Sequence, residues 1–193
     1  MVDVRAKDGD SRVNILREAT KKEPNSARAH ARLGTALLQA GAGKEAEAEL
    51  KKAVEIDPTC VEAWVNLGGV YLARWDFVSC VEANRKALEQ KPDLAEAHYN
   101  MGLGYLYQGH AEEMIPCFER VIELKPDHAG GHYHLAVGLL AVDRVGEARA
   151  SLGRARSFGW APPPEFLKEL DRKRNGGKAA AQKIEPKNTD STQ

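Results

Sequence analysis

Apolar residues return along this chain at a fixed step of 34 positions. Leu33, Leu67, Met101 and Leu135 hold one place in that frame, and Leu37, Tyr71, Tyr105 and Leu139 hold another. Ala53, Ala87, Val121 and Ala155 hold a third, while Pro24, Pro58, Pro92 and Pro126 punctuate it at the same interval. A step of this size marks a stacked array, in which each unit buries its apolar face against its neighbours. The prolines end helices, because the residue before a proline avoids helical geometry. Paired helices are therefore predicted over 27–40 and 44–57, 61–74 and 78–91, 95–108 and 112–124, and 129–142 and 146–157.

The flanks fit the same frame. Val13, Leu16 and Ala19 share one face of a helix capped by Ser11 and running to about Lys22. Residues 11–26 thus read as a half-repeat that covers the first of four units, 27–60, 61–94, 95–128 and 129–160. In the fourth unit Trp160 replaces the proline. Pro162-Pro163-Pro164 then opens a last helix, Glu165 to about Arg172, inside a capping segment 161–173. Its Phe166, Leu167 and Leu170 are expected to close the stack. Residues 1–10 and 174–193 are polar and are expected to be disordered.

Gly34, Gly68 and Gly102 allow the two helices of a unit to approach closely, and a bulkier residue there would overpack the contact by ~1–3 kcal/mol. Three positions depart from the frame. Trp75 stands at the turn where neighbouring units have Gly41 and Gly109. Asn84 replaces the apolar residue seen as Leu50, Phe118 and Leu152, so an amide enters the core and must find a partner. Pro116 falls early in a second helix, which either starts late, near Ile115, or is kinked there.

These residues resemble the tetratricopeptide repeat, whose pattern runs W-x-x-L-G-x-x-Y and then A, F, A and P. The second unit carries it best, with Trp64, Leu67, Gly68, Tyr71, Ala87 and Pro92. The resemblance covers 27–160. It implies an all-α, right-handed superhelical solenoid of four helix–turn–helix repeats, with an N-terminal half-repeat and a C-terminal capping helix. It also implies a concave groove walled by the first helix of each unit, toward which the second, fifth, sixth, ninth, twelfth and thirteenth residues turn.

The sixth position runs Arg32, Asn66, Asn100 and His134. An amide carries both donor and acceptor, so Asn66 and Asn100 can hold the main chain of an extended peptide, or else bridge neighbouring helices. The fifth, ninth and thirteenth positions grow more apolar toward the third and fourth units. There Tyr99, Leu103, Tyr107, Tyr133 and Val137 are expected to line a pocket for an apolar side chain or a partner helix. At the second position Arg28, Glu62, Glu96 and Gly130 mix signs, which predicts no strongly charged ligand. The family's clamp for chaperone C-termini needs lysine and asparagine where this chain has Ala31 and Thr35, and a lysine where it has Glu96. That clamp is not expected.

Charge and composition narrow the function further. Lysine plus arginine equals aspartate plus glutamate, at 28 each, which argues against a phosphate-tracking nucleic-acid binder. No apolar run approaches the roughly 18 residues of a membrane span, and the first residues lack the apolar stretch of a secretory signal. Cys60, Cys80 and Cys117 are odd in number and lack C-x-x-C spacing, which suits a reducing cytoplasm.

Catalytic and metal chemistry find little footing. Cys80 takes the small buried place of Ala46 and Ala148, and Cys117 has no neighbouring base. There is no Gly-rich phosphate loop, G-x-S-x-G or H-E-x-x-H, so neither an enzyme nor a cofactor is expected. His128, His132 and His134 have a spacing that could ligate metal. However, His98 and His132 occupy the packing place of Trp64, and His134 turns to the groove, so no metal site is expected.

The expected function is a non-catalytic scaffold binding a protein or peptide in its groove. The alternative is self-assembly with further copies through a stack end or the convex face, using Trp75 and Trp160 as exposed aromatics.

Overall fold

A computed structural model describes the backbone of residues 4–182 and the side chains of residues 11–175. The expected disorder of 1–3 and 183–193 lies outside the described residues. Ten α-helices and no strand occur among the described residues. They are α1 Val4–Lys22, α2 Ala27–Gln39, α3 Gly43–Ile56, α4 Val61–Ala73, α5 Phe77–Gln90, α6 Ala95–Gln108, α7 Ala111–Leu124, α8 Ala129–Ala141, α9 Val145–Ser157 and α10 Pro164–Gln182. Two compact units result: Met1–Pro126 holds α1–α7, and Asp127–Gln193 holds α8–α10.

Two ends differ from expectation. Residues 4–10 are helical rather than disordered, and α10 continues past residue 173 to Gln182. Neither stretch contains a proline beyond the first turn. Each glycine in a helix costs only about 1 kcal/mol, which lowers stability without forcing a break.

In the first unit α2 pairs with α3, α4 with α5, and α6 with α7, while α1 lies against α2 and buries Val13 with Leu33 and Leu37. The glycines behave as close-approach residues. A Cβ on Gly34 would lie 2.6 Å from Leu50 Cγ, and one on Gly102 would lie 2.8 Å from Phe118 Cζ. The turns between paired helices need left-handed backbone. Gly41 and Gly109 both adopt φ 77°, and Trp75 takes the same role at φ 63°. For a bulky residue that geometry costs ~1–2 kcal/mol.

Pro116 sits inside α7, which begins at Ala111 with Met114 N–H bonded to the His110 carbonyl at 3.1 Å. The late start near Ile115 is therefore corrected. The proline removes only the bond to the carbonyl of Glu112, an exposed residue of the first turn that water can reach.

Three ring-bearing residues at one place in the frame share a task. Trp64 Nε1–H donates to the Pro58 carbonyl at 2.7 Å, and His30 Nε2 and His98 Nε2 meet the carbonyls of Pro24 and Pro92 at 3.0 and 2.8 Å. A proline that ends one helix leaves its carbonyl without a helical partner, and a ring N–H six residues on supplies one. Indole and imidazole are interchangeable there because each carries that donor.

Asn84 is fully buried beneath Gly68, whose Cβ would lie 2.0 Å from Asn84 Nδ2. Its Nδ2–H donates to the Cys80 carbonyl at 2.8 Å, but Oδ1 has no hydrogen-bond partner among the described residues. Leucine has the same number of side-chain heavy atoms in the same branching, and Leu50 already fills this place beneath Gly34. Asn84→Leu is expected to stabilise the chain by ~1–2 kcal/mol by removing an unsatisfied buried acceptor. A urea titration with unchanged m-value would show it as a raised midpoint.

Candidate peptide-binding surface

Helix α6 places Tyr99, Leu103 and Tyr107 four residues apart, so all three share one face. The base of this face is anchored by Tyr99, which meets the buried Phe118 edge-on at a centroid distance of 5.6 Å. Burial, and less strongly the nearby Tyr107, raise the Tyr99 phenol above its ordinary pKa. At the other end Tyr107 stacks on Phe77 at 4.8 Å with an interplanar angle of 14°. Trp75 lies 5.8 Å from Tyr107 and 5.9 Å from Phe77. Trp75 is 73% exposed and Tyr107 55% exposed, so the cluster is open to solvent. The left-handed turn at Trp75 is what swings the indole beside α6.

Sequence reasoning singled out Trp75 and Tyr107 separately and missed Phe77. The signal was available, because the frame has Gly43, Ala111 and Val145 at the place of Phe77.

The sixth-position residues do not act alike. Arg32 is exposed on α2. Asn66 spends its amide N–H internally, donating to Thr35 Oγ1 at 2.8 Å, while the Thr35 hydroxyl lies 2.9 Å from the Ala31 carbonyl. This is the helix-bridging role, between α4 and α2. Asn100 is half-buried on α6, and its side chain makes no hydrogen bond among the described residues.

In the second unit His134 Nδ1 lies 2.8 Å from the Gly130 carbonyl, four residues earlier on α8. Tyr133 is covered by its own unit: Trp160 stacks on it at 5.1 Å and Phe166 meets it edge-on at 5.4 Å. Trp160 is thus half-buried rather than an exposed aromatic, correcting its place in the self-assembly reading. Val137, also on α8, is half-buried.

The histidine triplet is dispersed among separate tasks. His128 caps α8, its Nδ1 accepting from Gly131 N–H at 2.9 Å, and His132 stacks on Phe158. Among the described residues no group of three or more histidine, cysteine or acidic side chains could hold a metal ion. Burial pushes the Cys80 thiol up to about 11 and the Cys117 thiol to about 12, so both are protonated packing groups near neutrality. No helix among the described residues is long and apolar enough to cross a membrane.

Paired helices on a 34-residue frame, with glycines at the crossings and left-handed turns between partners, define a helical-repeat protein. Two tetratricopeptide repeat family models match the chain, over residues 5–67 and 95–128. The chain belongs to the tetratricopeptide repeat family, whose repeats serve as interaction modules.

Solved structures agree on the fold. YrrB, described as a TPR protein with an unusual peptide-binding site, superposes with a TM-score of 0.76 at 16% identity, covering 88% of this chain and 87% of its own. A crystal structure of MamA gives 0.66 at 22% identity, covering 93% and 99%. PilF from Pseudomonas aeruginosa gives 0.74 at 20% identity, covering 93% and 82%. No curated protein sequence matches the chain.

Proposed function

We propose that the chain is a non-catalytic interaction scaffold that binds an extended peptide or a partner helix on the aromatic face of α6. The observation that carries this reading is the aromatic cluster of exposed Trp75 and Tyr107 on half-buried Phe77, continuous along α6 with Leu103 and Tyr99. Contiguous exposed aromatics on a soluble repeat are costly unless a partner covers them. Asn100, with its amide uncommitted, would hold main chain beside them, whereas Asn66 serves the helix bridge. That YrrB is described as having a peptide-binding site supports this use of the fold. Arg32 would add only a rim contact, and Tyr133, His134 and Val137 would be contact residues of the second unit.

The test uses peptides selected on the native chain from a random display library. Trp75→Gly restores the residue found at Gly41 and Gly109, so it removes the indole while relieving the backbone. Peptides bound at α6 should lose affinity about tenfold or more in Trp75→Gly and in Tyr99→Ala. Unchanged affinity in both, with native circular dichroism, would place binding elsewhere.

Self-assembly is the second reading, favoured by Ile15 at 67% and Val78 at 70% exposure in addition to Trp75. Light scattering across a concentration series decides it, since a strict monomer removes it.

A further inference from the structure

Within the second unit, α9 and α10 border a cavity of ≈ 670 Å³ that is open to solvent. Its floor is apolar, formed by Leu152 of α9 and Leu167 and Leu170 of α10. The space exists because α9 carries glycine at two lining positions. A Cβ on Gly146 or Gly153 would meet nothing within 4 Å. A volume of this size accepts a large side chain together with the backbone around it.

The rim is cationic. Among the described residues, Arg149, Arg156, Lys173 and Arg174 line the cavity against a single carboxylate, Asp171. Lys173 is committed to Asp143 at 2.5 Å and to the Leu140 carbonyl at 2.9 Å. Arg174 pairs with Asp171 at 3.3 Å, yet its buried Nε–H has no hydrogen-bond partner among the described residues. Arg149 and Arg156 are exposed and make no ion pair or hydrogen bond among the described residues. They stand seven residues apart, about 10 Å along α9, with Leu152 between them on the same face.

We propose that this cavity docks an acidic segment of a partner protein that carries one large apolar anchor. The anchor enters over Leu152, and flanking carboxylates meet Arg149 and Arg156, each able to make a bidentate pair. The spacing selects a peptide over a single-headed amphiphile. One carboxylate can satisfy one guanidinium, whereas two arginines rooted about 10 Å apart on α9 are best met by two anions. Acidic residues seven apart on a peptide helix, with the apolar anchor three or four residues from each, share one face and supply that separation at about 1.5 Å per residue. The N-terminal helix of a second copy has the wrong sign: α1 carries Arg5, Lys7, Arg12, Arg17, Lys21 and Lys22 against Asp8, Asp10 and Glu18. The site shares no residue with the α6 surface and stands or falls independently of it.

The experiment selects displayed dodecapeptides on the full chain and retitrates them on variants by fluorescence anisotropy. Selected peptides should include a class with at least two acidic residues around a leucine or phenylalanine. That class should lose about tenfold or more in affinity on the double substitution Arg149→Glu, Arg156→Glu, and should weaken as salt is raised. Gly153→Leu fills the cavity while leaving every charge in place and improving helix propensity, and it should abolish the same binding. Trp75→Gly should leave it unchanged. Failure to enrich acidic peptides, or native affinity in both cavity variants with native circular dichroism, overturns the proposal. Uptake of laurate without acidic-peptide binding also overturns it, since that result marks a lipid pocket.

Discussion

Replacing Phe118 by alanine is expected to destabilise the first unit by about 3–5 kcal/mol, the largest single loss anticipated for this chain. The ring is 0% exposed and its outer end, Cζ with both Cε atoms, presses toward Gly102, where even a methyl group would collide with it at 2.8 Å. Helix α6 cannot close the gap by moving inward, because its Gly104 is held as tightly, with a Cβ there only 2.7 Å from Val81 Cγ2. A residual cavity therefore persists, and the cost includes both lost burial and the empty space. Phe118→Leu repeats the side chain found at Leu50 and Leu152 and should cost far less, under about 1.5 kcal/mol. Urea unfolding of the two variants measures the difference, and a loss below about 1 kcal/mol for alanine would show that the α6–α7 contact relaxes freely. The same substitution reaches the candidate site. Tyr99 rests edge-on against Phe118, so its ring loses its fixed orientation, and peptides bound on α6 should weaken even under conditions where the variant remains folded.

Much of the architecture could be read from individual residues. Prolines at a constant step end helices by a local steric rule, and glycines at the helix crossings have no alternative, so the paired helices fall within one or two residues of their expected limits. Trp75 was legible as an outlier for the same reason: a glycine-type turn does not change its backbone when an aromatic replaces the glycine. The contents of the site were less legible. Asn66 binds Thr35, 31 residues earlier on a different helix, and a period shows which residues share a place but not which hydroxyl lies across from them. Tyr133 carried the same expectation as Tyr99, yet it is covered by Trp160 and Phe166. Those two belong to the segment where the repeat frame ends, so no earlier unit gives a template for how that segment returns. The cationic cavity was invisible for a related reason, since α10 has no counterpart in the frame and the space it leaves over α9 depends on its own path.

The second unit should be acid-sensitive, through His134. Burial is the chief reason that its imidazole is held at a pKa of about 4, with the positive form disfavoured further by His128 and only partly favoured by the Gly130 carbonyl. In the unfolded chain the same group titrates near ~6.5. Between these values the unfolded chain binds a proton that the folded chain refuses, so stability falls as pH drops from about 6.5 toward 4. The depression corresponds to about 3 kcal/mol across that window, and no further change from this group is expected below it. Urea unfolding of the full chain at stepped pH, compared with His134→Gln, isolates the contribution, because other titrating groups act in both proteins. The stability difference between the two should shift in favour of the glutamine variant by that amount as pH falls. An NMR titration of the His134 ring with a midpoint near 6.5 would overturn the expectation. A consequence follows for Tyr133 and Trp160, whose rings pack at 5.1 and 5.9 Å from the His134 imidazole. Protonating that imidazole requires water to reach it, so the aromatic cover over α8 should loosen in the same pH window, with Trp160 fluorescence as its readout.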